Sequence, residues 1–182
     1  MAVDPRRLLT VDDYMAFPDD GIRRELIRGR VYVTPSATVR HQEIALEIAT
    51  AFLLHLKEHG GGRVLIAPMD VILSRGDVVQ PDVLFVADDR VQIVGEPNVA
   101  GAPTLCVEVL SNPRTDRVRK RALYEERGVP TYWIVDPKRD QVEVYTLDGD
   151  RYGDPVVVEP GGMLTLAELP EFSIDVAALL RR

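Results

Sequence analysis

Hydrophobic and polar positions alternate along the chain in two periods. Residues 41–59 place Ile44, Ala45, Ile48, Phe52 and Leu56 at three- and four-residue spacing. That is the stripe of an amphipathic helix, and Gly60, Gly61 and Gly62 stop it. Residues 10–17 predict a short helix with Thr10 as N-cap and Asp12 and Asp13 in its first turn. Residues 24–34 carry Gly29 between apolar positions and predict a hairpin or bent strand pair, broken by Pro35 and Ser36. The β-rich runs at 63–67, 71–73, 81–87 and 103–110 are each bounded by turn residues and predict strands. Residues 97–103 have no periodicity and predict a loop. Residues 115–127 predict a second helix, closed by Gly128 and followed by Pro130. After it, 131–135 predict a strand ended by Asp136 and Pro137. Residues 141–146 alternate and turn at 148–150 into a strand over 151–158, and a short helix follows Asp175. No internal repeat or low-complexity segment is present. Helices interrupt a continuous series of strands. That order predicts an α/β (α+β) fold with a central mixed β-sheet flanked by helices, not a doubly wound parallel sheet.

Composition narrows the class. The 182 residues suit one domain over 1–182, and 46% hydrophobic with 28% charged residues is ordinary for a globular protein. No apolar run is long enough to span a bilayer, and the N-terminus lacks a signal-peptide core. The expectation is a cytoplasmic protein with no membrane partner. Cys106 lies in an apolar run and reads as a small core residue. One cysteine, with His41, His55 and His59 in a single segment, gives no Cys/His zinc site. No GxGxxG or P-loop pattern supports a nucleotide cofactor. A net charge of −7 argues mildly against general nucleic-acid binding. Its distribution softens that: Arg23, Arg24, Arg28 and Arg30 form one basic cluster, and Arg114, Arg117, Arg119, Lys120, Arg121 and Arg127 another. Either cluster reads equally as a solvated face. Lys57, Lys120 and Lys138 are the only lysines among 22 basic residues. A lysine set among arginines at 120 suggests a use for its compact ammonium.

Three charged residues sit where apolar ones belong. Asp82 opens a strand, and Pro-Asp there is also a common turn. Glu108 lies inside another, on the face of Cys106 and Leu110. A carboxylate on a mostly apolar face needs a partner or a cation, while a water-facing strand position is the plainer account. On the second helix, at about 100° per residue, Asp116, Lys120, Leu123, Tyr124 and Arg127 share one sector. Lys120 therefore points inward, or else pairs with Asp116 at i, i+4. Trp133 reads as core.

Asp82 after Pro81, Glu108 in a strand and a following lysine resemble the PD-(D/E)XK nuclease superfamily. The longer pattern resembles the restriction-endonuclease-like Uma-two family: Glu108-Val109-Leu110-Ser111, Asp116, Lys120, Tyr124, Gly128, and Tyr132 through Pro137. Upstream, Glu25-Leu26, Gly29 and His41 also fit, so the likeness runs over roughly 10–146. One position departs. Leu110 stands where the superfamily has its lysine, and the resemblance implies that Lys120 has taken over from the helix. It implies a restriction-endonuclease-like sheet with a C-terminal β-hairpin extension, and an endonuclease hydrolysing phosphodiester bonds of nucleic acid, DNA first. Mg²⁺ (or Mn²⁺) would be held by the hard oxygens of Asp82, Glu108 and the Val109 carbonyl, with Lys120 stabilising the transition state and Glu25 as a further ligand or supporting acid. His41 at the helix start and Tyr124 in packing are weaker candidates. A homodimer is expected, with residues 141–158 as a candidate surface and loop 88–102 as a source of specificity. Two other readings stand beside it. One is a non-catalytic nucleic-acid-binding or assembly module, and the other a hydrolase of small phosphate compounds. The latter lacks a phosphate-cradling glycine loop.

Overall fold

The computed structural model describes residues 7–34, 36–111 and 115–181. The expected break at Pro35 and the basic residue Arg114 lie outside them. The chain begins with α1 (Val11–Met15), β1 (Arg24–Ile27), β2 (Arg30–Val33) and α2 (Val39–His59). Strands β3 (Gly62–Ile66), β4 (Val71–Ser74), β5 (Asp77–Val79) and β6 (Val83–Ala87) follow, then a 3-10 turn at Asp88–Ile93. Next come β7 (Val99–Ala100), β8 (Leu105–Val109), a π-helical turn at Thr115–Lys120, α3 (Arg121–Glu126) and β9 (Thr131–Asp136). The remainder is β10 (Gln141–Asp148), β11 (Arg151–Tyr152), β12 (Val156–Val158), β13 (Met163–Leu166), β14 (Leu169–Asp175) and α4 (Val176–Leu179). No helix among the described residues is long and apolar enough to cross a membrane.

Two mixed sheets and a hairpin result. The larger has the order β11-β10-β9-β8-β6-β3, with β12 also on β10. Within it, among the described residues, only β8 and β9 run parallel. A parallel pair needs a crossover, and the segment from 115 to 126 supplies it. The smaller sheet is β2-β1-β5-β4-β7, and β13 pairs with β14. The single central sheet expected is therefore joined by a second one, through the short link from β5 to β6.

Period-two alternation sorts the larger sheet's side chains into two apolar layers. Val83, Phe85, Leu105, Val107 and Trp133 pack against Ile44, Ile48 and Phe52 of α2. Leu84, Val86, Cys106, Tyr132 and Ile134 face the other way, with Leu123 and Tyr124 of α3 and with Ile27, Val71 and Val79 of the smaller sheet. Glu108 belongs by parity to this second layer. Cys106 and Trp133 are fully buried, as expected, and burial pushes the Cys106 thiol well up, so it stays inert.

Several expectations change. Helix α2 starts two residues earlier, capped by Thr38, whose hydroxyl accepts from the His41 N–H. The stretch expected as one helix over 115–127 opens as a π turn, and the Tyr132 hydroxyl donates to the Asp116 carbonyl there. Loop 97–103 contains β7, and β5, β13 and β14 were not anticipated. The strand expected over 151–158 is split, both pieces pairing with β10.

Candidate active site

Register builds the site. Val83 pairs with Val107 and Leu84 with Cys106. Two further steps of this register set Asp82 across from Glu108 and Pro81 across from Val109. Proline has no N–H, so the ladder cannot continue there. The Asp82 carboxylate fills part of the gap: its Oδ2 accepts from the Val109 N–H at 2.9 Å. Pro81 likewise offers no N–H to the Val109 carbonyl, which points to the same side of its strand as the Val109 N–H.

The crossover returns over the face that holds Glu108. Lys120, the last residue of the π turn, lies with its Nζ 2.8 Å from Glu108 Oε1 and 2.8 Å from Glu25 Oε1. Glu25 arrives from β1 and is fixed by the Gln80 N–H at 2.8 Å. One turn on, the Tyr124 hydroxyl donates to Glu108 Oε1 at 3.0 Å. Exposures of 1% for Glu25 and 3% for both Glu108 and Lys120 make this a buried acid–base–acid cluster. Four predicted residues, Glu25, Glu108, Lys120 and Tyr124, are thus in direct contact, with Asp82 just before the neighbouring strand β6. Lys120 points inward, as the helical sector implied, and it does so toward two strands rather than only along its own helix.

Electrostatics follow from the crowding of acids. Burial pushes the Glu108 carboxyl well up, repulsion from Asp82, Glu25 and Asp116 adds to this, and the Lys120 ammonium opposes it. Burial alone would lower Lys120, but Glu108, Glu25, Asp116 and Asp82 outweigh it and raise it, so its ammonium stays charged. Asp82 is also pulled up by burial. Its hydrogen bond from His41 and the charges of His41, Lys120 and Arg23 win and leave it below the ordinary value. Among the described residues no three His, Cys, Asp or Glu side chains form a ready metal cage. The donors are instead a carboxylate in β8, another just before β6 and a backbone carbonyl, a set suited to a hard cation that keeps several waters.

Sequence reasoning undervalued three neighbours. His41 Nε2 lies 3.0 Å from Asp82 Oδ2, so this residue meets the site and does more than start a helix. Arg23 Nη1 reaches Asp82 Oδ1 at 3.5 Å, its Nε donates to Gln80 Oε1 at 3.0 Å, and its Nη2 donates to the Gln80 carbonyl. The signal for Arg23 was its place two residues before Glu25, next to the start of β1. Two adjoining clefts of about 860 and 410 Å³ share Ala37, Gln42 and Ala67. Arg23 and Gln80 line the larger, and His41 and Asp82 the smaller. Asp82 is thus the outer end of the site, and Glu108, Lys120 and Glu25 lie behind it.

The crossover is clamped at both ends. Arg117 bonds Asp136 at 2.8 Å and Glu143 at 2.6 Å in the larger sheet. Arg127 bonds Asp77 at 2.8 Å in the smaller. The second basic cluster is therefore partly structural.

Among curated proteins, none matches the chain. Among solved structures it resembles a putative nuclease belonging to DUF820 from Anabaena variabilis ATCC 29413, at a TM-score of 0.80 and 19% identity, covering 94% of this chain and 97% of that one. At that identity the likeness establishes the shared fold. Residues 11–177 match the Uma2 family, described as putative restriction endonuclease. With nearly the whole sequence matched, the chain belongs to the Uma2 family.

Proposed function

We propose that this protein is a Mg²⁺- or Mn²⁺-dependent endonuclease that hydrolyses phosphodiester bonds of DNA, acting as a homodimer. The observation that carries this is the convergence of Lys120 on Glu108 and Glu25 at 2.8 Å, with Asp82 across the strand. Membership of a family described as putative restriction endonuclease supports the same reaction class. The acids fit a divalent cation chemically, because a buried carboxylate raised by its acidic neighbours gains from added positive charge.

In this reading Asp82, Glu108 and the Val109 carbonyl hold the ion. When bound, the ion neutralises charge on the scissile phosphate and lowers the pKa of an attacking water. The chain's own residues do the rest. Lys120 places a fixed ammonium beside the reacting phosphate, where developing negative charge is stabilised. Glu25 keeps that ammonium charged and in place. Tyr124 and His41 orient Glu108 and Asp82 through their hydrogen bonds. Arg23, at the larger cleft, meets an incoming phosphate.

The test is calorimetric titration with Mn²⁺ alongside cleavage of duplex, single-stranded and branched DNA. Mn²⁺ binding should be lost in Asp82→Asn and Glu108→Gln, and cleavage lost in those and in Lys120→Met. Folded wild-type protein that neither binds the ion nor cuts any of these substrates would leave the non-catalytic binding module as the better account.

A further inference from the structure

Helix α2 has a second apolar face, turned away from the core. Amphipathic surface helices keep that side polar. At about 100° per residue, Val39, Glu43, Leu46, Leu54 and Lys57 all fall within roughly 40° of the direction of Thr50. Leu46 is 62% exposed and Leu54 61%, while the opposite side buries Ile44, Ile48 and Phe52.

The face reads the same from both ends. Thr50, a small residue, stands at its centre. Leu46 and Leu54 are each four residues from it, and Glu43 and Lys57 each seven. Two such helices crossing antiparallel at Thr50 set Leu46 of one copy against Leu54 of the other, twice. The same crossing sets Glu43 against Lys57, twice, about 10 Å from the centre on either side. Residue i meets j and j meets i, the condition of a two-fold interface. Among the described residues Glu43 has only a long contact, 3.7 Å, to Arg40. Lys57 has no ion-pair partner among the described residues. In a chain that uses arginine almost throughout, one of three lysines occupies the complementary position.

We propose that the occupant of this face is a second copy of this chain, joined through antiparallel α2 helices crossing at Thr50. The pairing has a consequence for the site. Val39, Glu43 and Leu46 also line the cleft that opens on His41 and Asp82, so the partner helix walls one side of it and brings the two Asp82 clefts beside a common axis. This deepens the homodimeric reading above. Its test reads mass rather than cleavage or metal binding, so either reading can fail while the other stands.

Light scattering across a concentration series, with the full chain, is the experiment. Wild type should give the mass of a dimer that dissociates on dilution. Leu54→Glu should be monomeric throughout, with unchanged circular dichroism and Tm, because the side chain is exposed within one copy. Glu43→Lys and Lys57→Glu should each raise the dimer Kd by about tenfold, since each opposes like charges twice. The double variant Glu43→Lys/Lys57→Glu should return the dimer, an outcome that general surface effects do not produce. A wild-type monomer at every concentration would overturn the proposal. So would a dimer indifferent to Leu54→Glu and both charge reversals, or one dissolved instead by Val156→Glu in β12.

Discussion

Replacing Lys120 by methionine keeps most of the side-chain volume and removes one buried positive charge from between two carboxylates. Both Glu25 and Glu108 lie 2.8 Å from its ammonium. Breaking a buried pair from one side costs about 3–5 kcal/mol. For a chain of this size each kcal/mol moves Tm by about 2–4 °C, so the deficit is about 6–20 °C. It depends on pH, with a definite sign. Glu108 is raised in the folded protein above its ordinary 4.5, by burial and then by its acidic neighbours, and Lys120 opposes that rise. Deleting Lys120 raises it further. A group raised on folding contributes stability that is complete below its unfolded value and lost as pH rises through its folded one. The variant can therefore protonate Glu108 more readily at low pH, and its deficit should be smaller at pH 5 than at pH 8. Thermal unfolding followed by circular dichroism at both pH values reads the difference. Lys120→Met/Glu108→Gln should regain most of the loss at pH 8, because a neutral amide needs no counter-ion. Equal deficits at the two pH values, or a double variant no better than the single one, would overturn this account of Lys120.

Tyr124→Phe removes one hydroxyl from Glu108 Oε1 and keeps the ring edge-to-face with Tyr132 at 4.8 Å. It should cost about 1.5–3 kcal/mol in urea unfolding and reduce cleavage less than Glu108→Gln does. Arg117→Gln releases the π turn from Asp136 and Glu143 and should cost about 2 kcal/mol near neutral pH, less than a fully buried pair would. Burial pulls Asp136 up, but the Arg117 hydrogen bond and the N–H groups of Lys138 and Arg139 leave it below 3.8. That stability is present above the unfolded value and lost as pH falls, so urea midpoints of variant and wild type should converge below about pH 4. Gly62→Ala sets a Cβ 2.3 Å from the Val86 carbonyl at a φ of 150°. It should cost at least about 2 kcal/mol, read as a lower Tm.

What the sequence made legible is what local pattern controls. Helix α2 and strands β6, β8 and β9 have apolar runs or stripes bounded by glycine or proline, and their existence followed. Strand β5 has three residues and β7 two, too short for a period to register. Strand β14 contains Pro170 and sits at the end of the chain against α2, so tertiary contact decides it. The site divides the same way. Asp82, Glu108 and Lys120 were visible because charge interrupts apolar surroundings. Glu25 came only through family resemblance. Arg23 and Gln80 were not singled out, since the Arg23 contacts with Gln80 and Asp82 form only where one sheet passes into the other. The His41 contact with Asp82 was missed for a smaller reason. Capping by Thr38 moves the helix start to Val39, so His41 falls in the first turn and faces inward.

The proposed replacement of a strand lysine by Lys120 has a topological rationale. The position two after Glu108 is Leu110, which packs with the second apolar layer while its N–H bonds the Val135 carbonyl. The site needs an ammonium near two acids, and no particular backbone position follows from that. Strands β8 and β9 are parallel, so the chain must leave the end of β8, cross one face of the sheet and return. The face it crosses here is the one with Cys106, Glu108, Tyr132 and Ile134. The first helical turn after Glu108 therefore passes over Glu108 itself. A lysine on the inner side of that turn lies close to Glu108 and, with the smaller sheet packed on the same face, close to Glu25 as well. The π turn, tied by Tyr132 at its start and by Arg117 to β9 and β10, holds Lys120 at that point. A strand lysine and a helix lysine are then two routes to one charge at one place, and the β8–β9 crossover is what makes the second route short.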